Sequence, residues 1–272
     1  VVPDVAGSNP VDRPFLKDFE PMSFFQALIL GLVQGLTEFF PVSSSAHLRL
    51  AKWFFGLSDG EYLLYFDLLC HLGTLLALLI YLRKDVWAVL VDPKKMGLYL
   101  LALLPLIPAY FLLKPLRIAA SQPSYLGYAL MITSLLLFMA SRSPLKQEAS
   151  KKWPAVLCIG VMQTIALIPG ISRSGSTIAA ARFFGWNLID AARFSFLLAI
   201  PTILGGEILE TLKGFPLSGV STPCYLAGFG ASFITGLMMV RLAFWIYEKG
   251  FLRPIAWYCL AVGLISWGLF HG

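Results

Sequence analysis

Charge is scarce in this chain. Of its 272 residues only 13% are Asp, Glu, Lys or Arg, while 58% are apolar. A soluble domain carries about 25% charged residues. A water-soluble globule of this length is therefore excluded for want of polar surface, and the bilayer is the solvent that suits most of the chain. Acidic residues are the scarcer sign, 15 against 21 basic, which leaves a net charge of +6. On a soluble chain that excess would suggest nucleic acid. Here the basic residues lie between apolar runs, so they belong to membrane-flanking loops and no nucleic-acid partner is expected. Cysteine is sparse too. Cys70, Cys158, Cys224 and Cys259 sit in or beside apolar segments without CxxC spacing, which reads as buried free thiols and not as a disulfide framework or metal cluster. No stretch has the composition of a separate soluble domain, so residues 22–272 read as a single polytopic membrane domain. Residues 1–21 lack an apolar core and are not a secretory signal. They read as an expression remnant or a disordered leader, with Met22 as a candidate start.

What is abundant is apolar sequence, in runs at 23–40, 43–56, 62–82, 98–113, 124–140, 154–168, 172–184, 189–210, 224–246 and 254–270. A spanning helix needs roughly 20 residues, and shorter apolar segments are more often re-entrant. Segments 43–56 and 172–184 are short and charged, and each follows its predecessor after a tight break, at Pro41 and at Pro169–Gly170. Each pair reads as a helical hairpin that dips into the membrane and returns. The hairpins also resemble each other at a constant offset of 129 residues: Gly31 to Gln34 matches Gly160 to Gln163, and Ser43 to Ser45 matches Ser172 to Ser174. A weaker match follows at an offset of 128, Phe66–Thr74 against Phe194–Thr202. Three spans separate the hairpins. Because three is odd, the second copy enters from the opposite face, as an inverted-topology repeat with interrupted helices meeting near the midplane. The expected fold is all-α and integral to the membrane, with six transmembrane helices plus two re-entrant hairpins. Repeat one covers about 23–140 and repeat two about 154–270. Loops on one face hold Arg83, Lys84, Lys94, Lys95, Arg142, Lys146, Lys151, Lys152, Lys249 and Arg253, while the other holds mainly Lys52, Lys114, Arg117 and Lys213. The first face is expected to be cytoplasmic, with both termini outside.

Ionisable groups at membrane depth are costly, so each is a candidate for function. In the first break Gln34 and Glu38 share a helix face, Pro41 stops the helix, and Ser43, Ser44 and Ser45 open the next one, with His47 a turn beyond Ser44. In the second, Pro169–Gly170 precedes Ser172, Arg173, Ser174 and Thr177. Free N–H groups and the positive end of a helix dipole make such a terminus an anion site, glycine lets the backbone approach phosphate oxygens, and the guanidinium of Arg173 offers a fork suited to them. The two clusters supply the parts that phosphoryl transfer needs. Glu38 then acts as a base or holds a divalent cation. Plainer readings stand beside these. The serines are N-caps, Arg173 pairs with Glu38 across the tips, His47 is an interface histidine, and Gln34 and Gln163 bond loop backbone. Asp67 and His71, four apart, pair with each other or support the site.

The motifs QGLTEFFPVSSSAH (34–47), PGISRSGST (169–177) and FSFLLAIP (194–201) resemble those of the undecaprenyl-pyrophosphate phosphatase family associated with bacitracin resistance. The resemblance runs from about Met22 to the C-terminus. It implies a bacterial inner-membrane enzyme that hydrolyses undecaprenyl diphosphate to the monophosphate, recycles the carrier lipid for cell-wall synthesis, and depends on Mg2+ or Ca2+. Glu38 fits the second acidic position of an (E/Q)xxxE motif, as metal ligand or base. Gln34 fits the first, where many members have Glu. Ser44 and His47 fit the nucleophile region, and Arg173 fits the phosphate-binding arginine. On this reading Glu38, Ser44, His47 and Arg173 are catalytic, Ser44 as nucleophile with His47 as its proton partner, or binding only while water attacks. Gln34, Ser43, Ser45, Gly170, Ser172, Ser174 and Thr177 bind phosphate. The expected partners are the polyprenyl diphosphate, membrane lipids and a second copy of the chain as a homodimer. A lipid-phosphate flippase or transporter using the same anion site is the alternative.

Overall fold

The computed structural model describes residues 22–57, 61–144, 153–212 and 220–271. The leader 1–21 and the loop cations Lys146, Lys151, Lys152 and Lys213 lie outside the described residues. Those described are helical, with no strand among them. The helices are α1 (Phe24–Thr37), α2 (Ser44–Phe54), α3 (Glu61–Tyr81), α4 (Arg83–Leu90), α5 (Pro93–Leu103), α6 (Leu106–Leu112) and α7 (Lys114–Ala119). They continue with α8 (Leu126–Arg142), α9 (Trp153–Ile165), α10 (Arg173–Phe183), α11 (Leu188–Thr211), α12 (Thr222–Glu248) and α13 (Leu252–His271).

Six segments are long and apolar enough to cross a membrane: Leu63–Tyr81, Pro93–Leu112, Pro123–Arg142, Leu188–Thr211, Thr222–Glu248 and Leu252–His271. The second is α5 and α6 together, interrupted near Pro105, and it begins earlier than the apolar run at 98–113 because Asp92 caps its start ahead of Pro93. Large apolar side chains such as Phe111, Leu226, Ile234 and Trp257 remain more than half exposed. Lipid solvates such a surface without penalty.

The helices α1 and α9 are apolar but only 14 and 13 residues long, and each packs on its successor, α1 on α2 and α9 on α10. Local chemistry sets their ends. Ser23 and Gln26 form a reciprocal capping box at the start of α1. Pro41 ends the helical stretch that follows α1. At the end of α9 the amides of Ala166, Leu167 and Ile168 bond to carbonyls three residues back, a tightened final turn that runs into Pro169.

Small residues allow close helix approach, as is common in membranes. A side chain at Gly31 would meet the backbone of Gly228 on α12 at 2.4 Å, and one at Gly160 would meet Ala102 on α5 at 2.4 Å. The two hairpins are thereby pressed against different long helices. Between them, Phe39, Phe196 and Phe244 stack edge to face, and buried Tyr247 donates its hydroxyl to the Phe39 carbonyl at 2.8 Å. These contacts fix the backbone immediately after Glu38.

Candidate functional site

The two breaks meet. Arg173, the first residue of α10, donates from Nη2 to Glu38 Oε1 at 2.7 Å across 135 residues of chain. Ser174 Oγ donates to the Phe40 carbonyl at 3.3 Å. The ion pair is sheltered, with the Glu38 side chain 6% and the Arg173 side chain 23% exposed. The other carboxylate oxygen, Glu38 Oε2, accepts from Ser44 Oγ at 2.6 Å and from Gln34 Nε2 at 3.0 Å. Three donors converge on one carboxylate, which accepts through both oxygens. The Ser44 hydroxyl is thus hydrogen-bonded to a base, and that base is oriented by a guanidinium from the other hairpin.

The serines flanking these groups form matching pairs. Ser43 Oγ lies 3.2 Å from Ser45 Oγ, and Ser172 Oγ lies 3.2 Å from Ser174 Oγ. Ser43 caps α2 through the Ala46 amide, and Ser172 caps α10 through the Gly175 amide. The backbones differ. Ser43 has φ 69°, the only positive φ at a non-glycine residue among those described, while Ser172 has an ordinary φ of −69°. In the second break the left-handed position falls on Gly170, at φ 93°. Such a conformation at serine costs roughly 1–3 kcal/mol.

A cavity of about 590 Å³ opens on this junction, lined by Glu38, Ser43, Ser44, Ser45, Ser172, Arg173 and Ser174, within the size range of small-molecule sites. Its far wall carries Lys52, Asp67, His71, Glu207 and Glu210. Two helix N-termini, the guanidinium groups of Arg49 and Arg173, the ammonium of Lys52 and several hydroxyls therefore line a common space, an arrangement that attracts phosphate.

The remaining residues expected from the sequence lie around this space in other ways. Gln34 is fully buried one turn below Glu38 and supports it. Buried Gly170 supplies the turn. Thr177 Oγ1 bonds Ser195 Oγ at 2.7 Å, which ties α10 to α11 one turn behind Arg173. His47 is not with Ser44: its Nδ1 lies 2.8 Å from the Ser43 carbonyl and its Nε2 2.8 Å from the Tyr258 hydroxyl. It lines a separate apolar cavity of about 510 Å³ with Leu36, Phe40, Val42 and Ile255. An i to i+3 spacing puts His47 and Ser44 on one side of α2, but the Ser44 hydroxyl is taken by Glu38 and the imidazole by Tyr258 of α13.

Asp67 and His71 do not pair through their side chains. Asp67 Oδ2 holds Lys52 Nζ at 2.5 Å, and His71 Nδ1 meets the Asp67 carbonyl at 2.8 Å. Sequence reasoning also missed Tyr258 and Thr133, whose Oγ1 accepts from the Ser172 amide at 3.0 Å. Both reach the site from helices distant in sequence, and no local pattern marks them.

The donor set bears on a divalent cation. No group of three or more His, Cys, Asp or Glu side chains among the described residues forms a cage for one. However, buried Gln34 Oε1 has no hydrogen-bond partner and belongs to the side chain that contacts Glu38. One carboxylate and one amide oxygen suit a hard cation that draws the rest of its shell from phosphate oxygens and water. Yet Gln34 presents its amide nitrogen to Glu38 and does not line the cavity, so Glu38 is the donor that a cation shared with a ligand would meet there.

A family model described as "Bacitracin resistance protein BacA" matches residues 27–265. Proteins named "Undecaprenyl-diphosphatase" align over most of the chain. The protein from Protochlamydia amoebophila is 39% identical over 258 residues, covering 90% of this chain and 98% of its own. That of Carboxydothermus hydrogenoformans is 39% identical, covering 89% and 96%. That of Acaryochloris marina is 37% identical, covering 90% and 98%.

Proposed function

The chain belongs to the bacitracin resistance protein BacA family, and from that premise we propose that it hydrolyses undecaprenyl diphosphate to undecaprenyl phosphate and inorganic phosphate in the bacterial inner membrane. The observation that carries the proposal is the 2.6 Å hydrogen bond from Ser44 Oγ to Glu38, on a carboxylate that also holds Arg173 from the opposed hairpin. A hydroxyl with a base beside it is an activated nucleophile. A guanidinium at the same carboxylate brings positive charge to where phosphoryl oxygens would sit.

The chemistry follows from those contacts. The terminal phosphate enters the cavity between the helix N-termini, and Arg173 shifts part of its hydrogen bonding from Glu38 to non-bridging oxygens. Glu38 takes the Ser44 proton as Ser44 Oγ attacks the terminal phosphorus. The bond from that phosphorus to the bridging oxygen breaks, and the electron pair leaves on the lipid monophosphate, which receives the proton from Glu38. Water then attacks the phosphoserine with Glu38 as its base. The Ser44 Oγ–P bond breaks, and the proton returns to Ser44. A bound divalent cation, held by Glu38, would neutralise charge on the diphosphate oxygens. His47 has a supporting part, holding the Ser43 carbonyl and hence the strained entry into α2. Phe40 borders both the polar cavity and the apolar one beside His47, which offers the first isoprene units an apolar path from the headgroup.

The two hairpins are read as re-entrant and as an inverted repeat. Three candidate spans lie between them. Gly31 and Gly160 sit at close helix crossings, and the serine pairs match in geometry; all three observations support the reading. The face carrying Arg83, Lys84, Lys94, Lys95, Arg142, Lys249 and Arg253 is assigned to the cytoplasm. A flippase would need the anion site but no hydroxyl on a base, and the relatives' printed names are those of hydrolases. The testing experiment is phosphate release from undecaprenyl diphosphate in detergent by wild type, Glu38→Ala and Arg173→Ala, with and without a chelator. Metal-dependent release lost in both variants is expected. A folded wild type that releases no phosphate with either Mg2+ or Ca2+ would overturn the hydrolase reading.

A further inference from the structure

We propose that Lys52, held by Asp67, is a positioning residue for the second phosphate of the headgroup and makes the site prefer a lipid diphosphate over a monophosphate. The inference rests on the diphosphatase reading. Lys52 and Asp67 line the same cavity as Glu38, Ser44 and Arg173. Their ion pair spans 2.5 Å from α2 to α3, and the Lys52 side chain is 4% exposed.

Lysine is almost never so buried without a reason. An ion pair used only to join two helices is commonly matched or bettered by apolar residues of similar volume. What apolar residues cannot do is present a cation to a cavity wall, and Asp67 lets Lys52 do so without net buried charge. The state of Asp67 agrees with this. Its Oδ1 is buried, and no donor reaches it, whereas a closed structural pair would be saturated.

Placement on α2 assigns the phosphate. Ser45, Leu48, Arg49 and Lys52 follow a helical stripe along the cavity. At 1.5 Å per residue, the Lys52 backbone stands about 12 Å along the axis from Ser44, and helical side chains lean back toward the N-terminus. The ammonium therefore addresses a group beyond the one held at the hairpin tips. A monophosphate is satisfied by the tips alone; a diphosphate has a second charged group to offer. An ammonium acts on phosphate as a point charge and needs no bidentate geometry.

The test compares full-length wild type with Lys52→Met, Lys52→Arg and the double variant Lys52→Met/Asp67→Leu, which leaves no unpaired carboxylate. The readouts are kcat and KM for undecaprenyl diphosphate, inhibition by undecaprenyl monophosphate, and melting temperature. The loss of one charge-assisted contact predicts a KM raised about tenfold in both Met variants, with kcat changed less than about twofold. Monophosphate inhibition should be unchanged, and Lys52→Arg should restore most of the KM. A folded double variant with wild-type KM would overturn the proposal. So would parallel weakening of diphosphate and monophosphate, or a fall in melting temperature as the sole effect. A wild type that hydrolyses nothing would sink the diphosphatase reading instead. Ligand-induced shifts in melting temperature with prenyl diphosphate and monophosphate would then still read the discrimination by Lys52.

Discussion

The two helix pairs, α1–α2 and α9–α10, share a serine pattern and differ at the positions proposed for the chemistry. Aligned at the offset of 129, Ser43 and Ser45 fall on Ser172 and Ser174, and each pair makes the same 3.2 Å contact at the start of a helix. Glu38 falls on Leu167, and Ser44 falls on Arg173. One hairpin carries the base and the hydroxyl, and the other carries the cation that faces them. The backbone differs in the same sense. The first break places its left-handed residue at Ser43, directly before Ser44, and the second places it at Gly170, three residues before Arg173. Strain therefore sits beside Ser44, the proposed nucleophile, while the turn that carries Arg173 is relaxed. Two turns with matching serine pairs line one cavity and differ in two residue types and in the place of the left-handed residue.

That asymmetry can be broken residue by residue. The largest effect is expected from Ser44→Ala, which removes the proposed nucleophile and should lower kcat by about 10⁴ or more in phosphate-release assays. If water attacked directly, the loss would be closer to tenfold. Glu38→Gln keeps the shape but neither the charge nor the base, and kcat should fall by about 10³. Arg173→Ala should reduce kcat/KM by about 10²–10³ through lost charge on the phosphoryl oxygens. The corresponding change at Ser44 should be the more severe of the two, since the hairpins are unequal. His47→Ala should cost less than about tenfold in kcat, because the imidazole contacts Tyr258 and the Ser43 carbonyl, not the hydroxyl. A loss near that of Ser44→Ala would return His47 to the proton path. The smallest effects concern stability. Ser43→Gly should raise it by about 0.5–1 kcal/mol, since the left-handed strain is relieved and the cap bond lost is a long one at 3.4 Å. Ser172→Gly, at an N-cap with ordinary φ, should lower it by roughly a few tenths of a kcal/mol. Denaturation of the two variants in the same detergent reads the opposite signs.

Much of the architecture was legible in composition and spacing. Apolar runs marked the six candidate spans and the two short hairpins, because lipid exposure demands long apolar segments whatever their partners. Proline, glycine and serine marked both breaks, because the chemistry of turns and caps is local. Tertiary consequences were less legible. The pairing of Arg173 with Glu38 was one of two readings open from sequence, and the structure brings the two side chains together. Helical spacing offers His47 as a partner of Ser44, but Glu38 takes the hydroxyl and Tyr258 the imidazole, and contacts made across 211 residues of chain leave no local pattern. Lys52 counts among the loop cations by sequence, but the structure buries it on α2 against Asp67. Their pairing depends on how α2 lies against α3.

The role of Ser44 has a direct test in the stereochemical course of the reaction, measured with undecaprenyl diphosphate bearing an isotopically chiral terminal thiophosphate. Attack by Ser44 followed by water makes two in-line displacements, so the thiophosphate should be released with net retention of configuration. Net inversion would mean a single displacement by water, and would reduce Ser44 to a hydrogen-bonding residue beside Glu38.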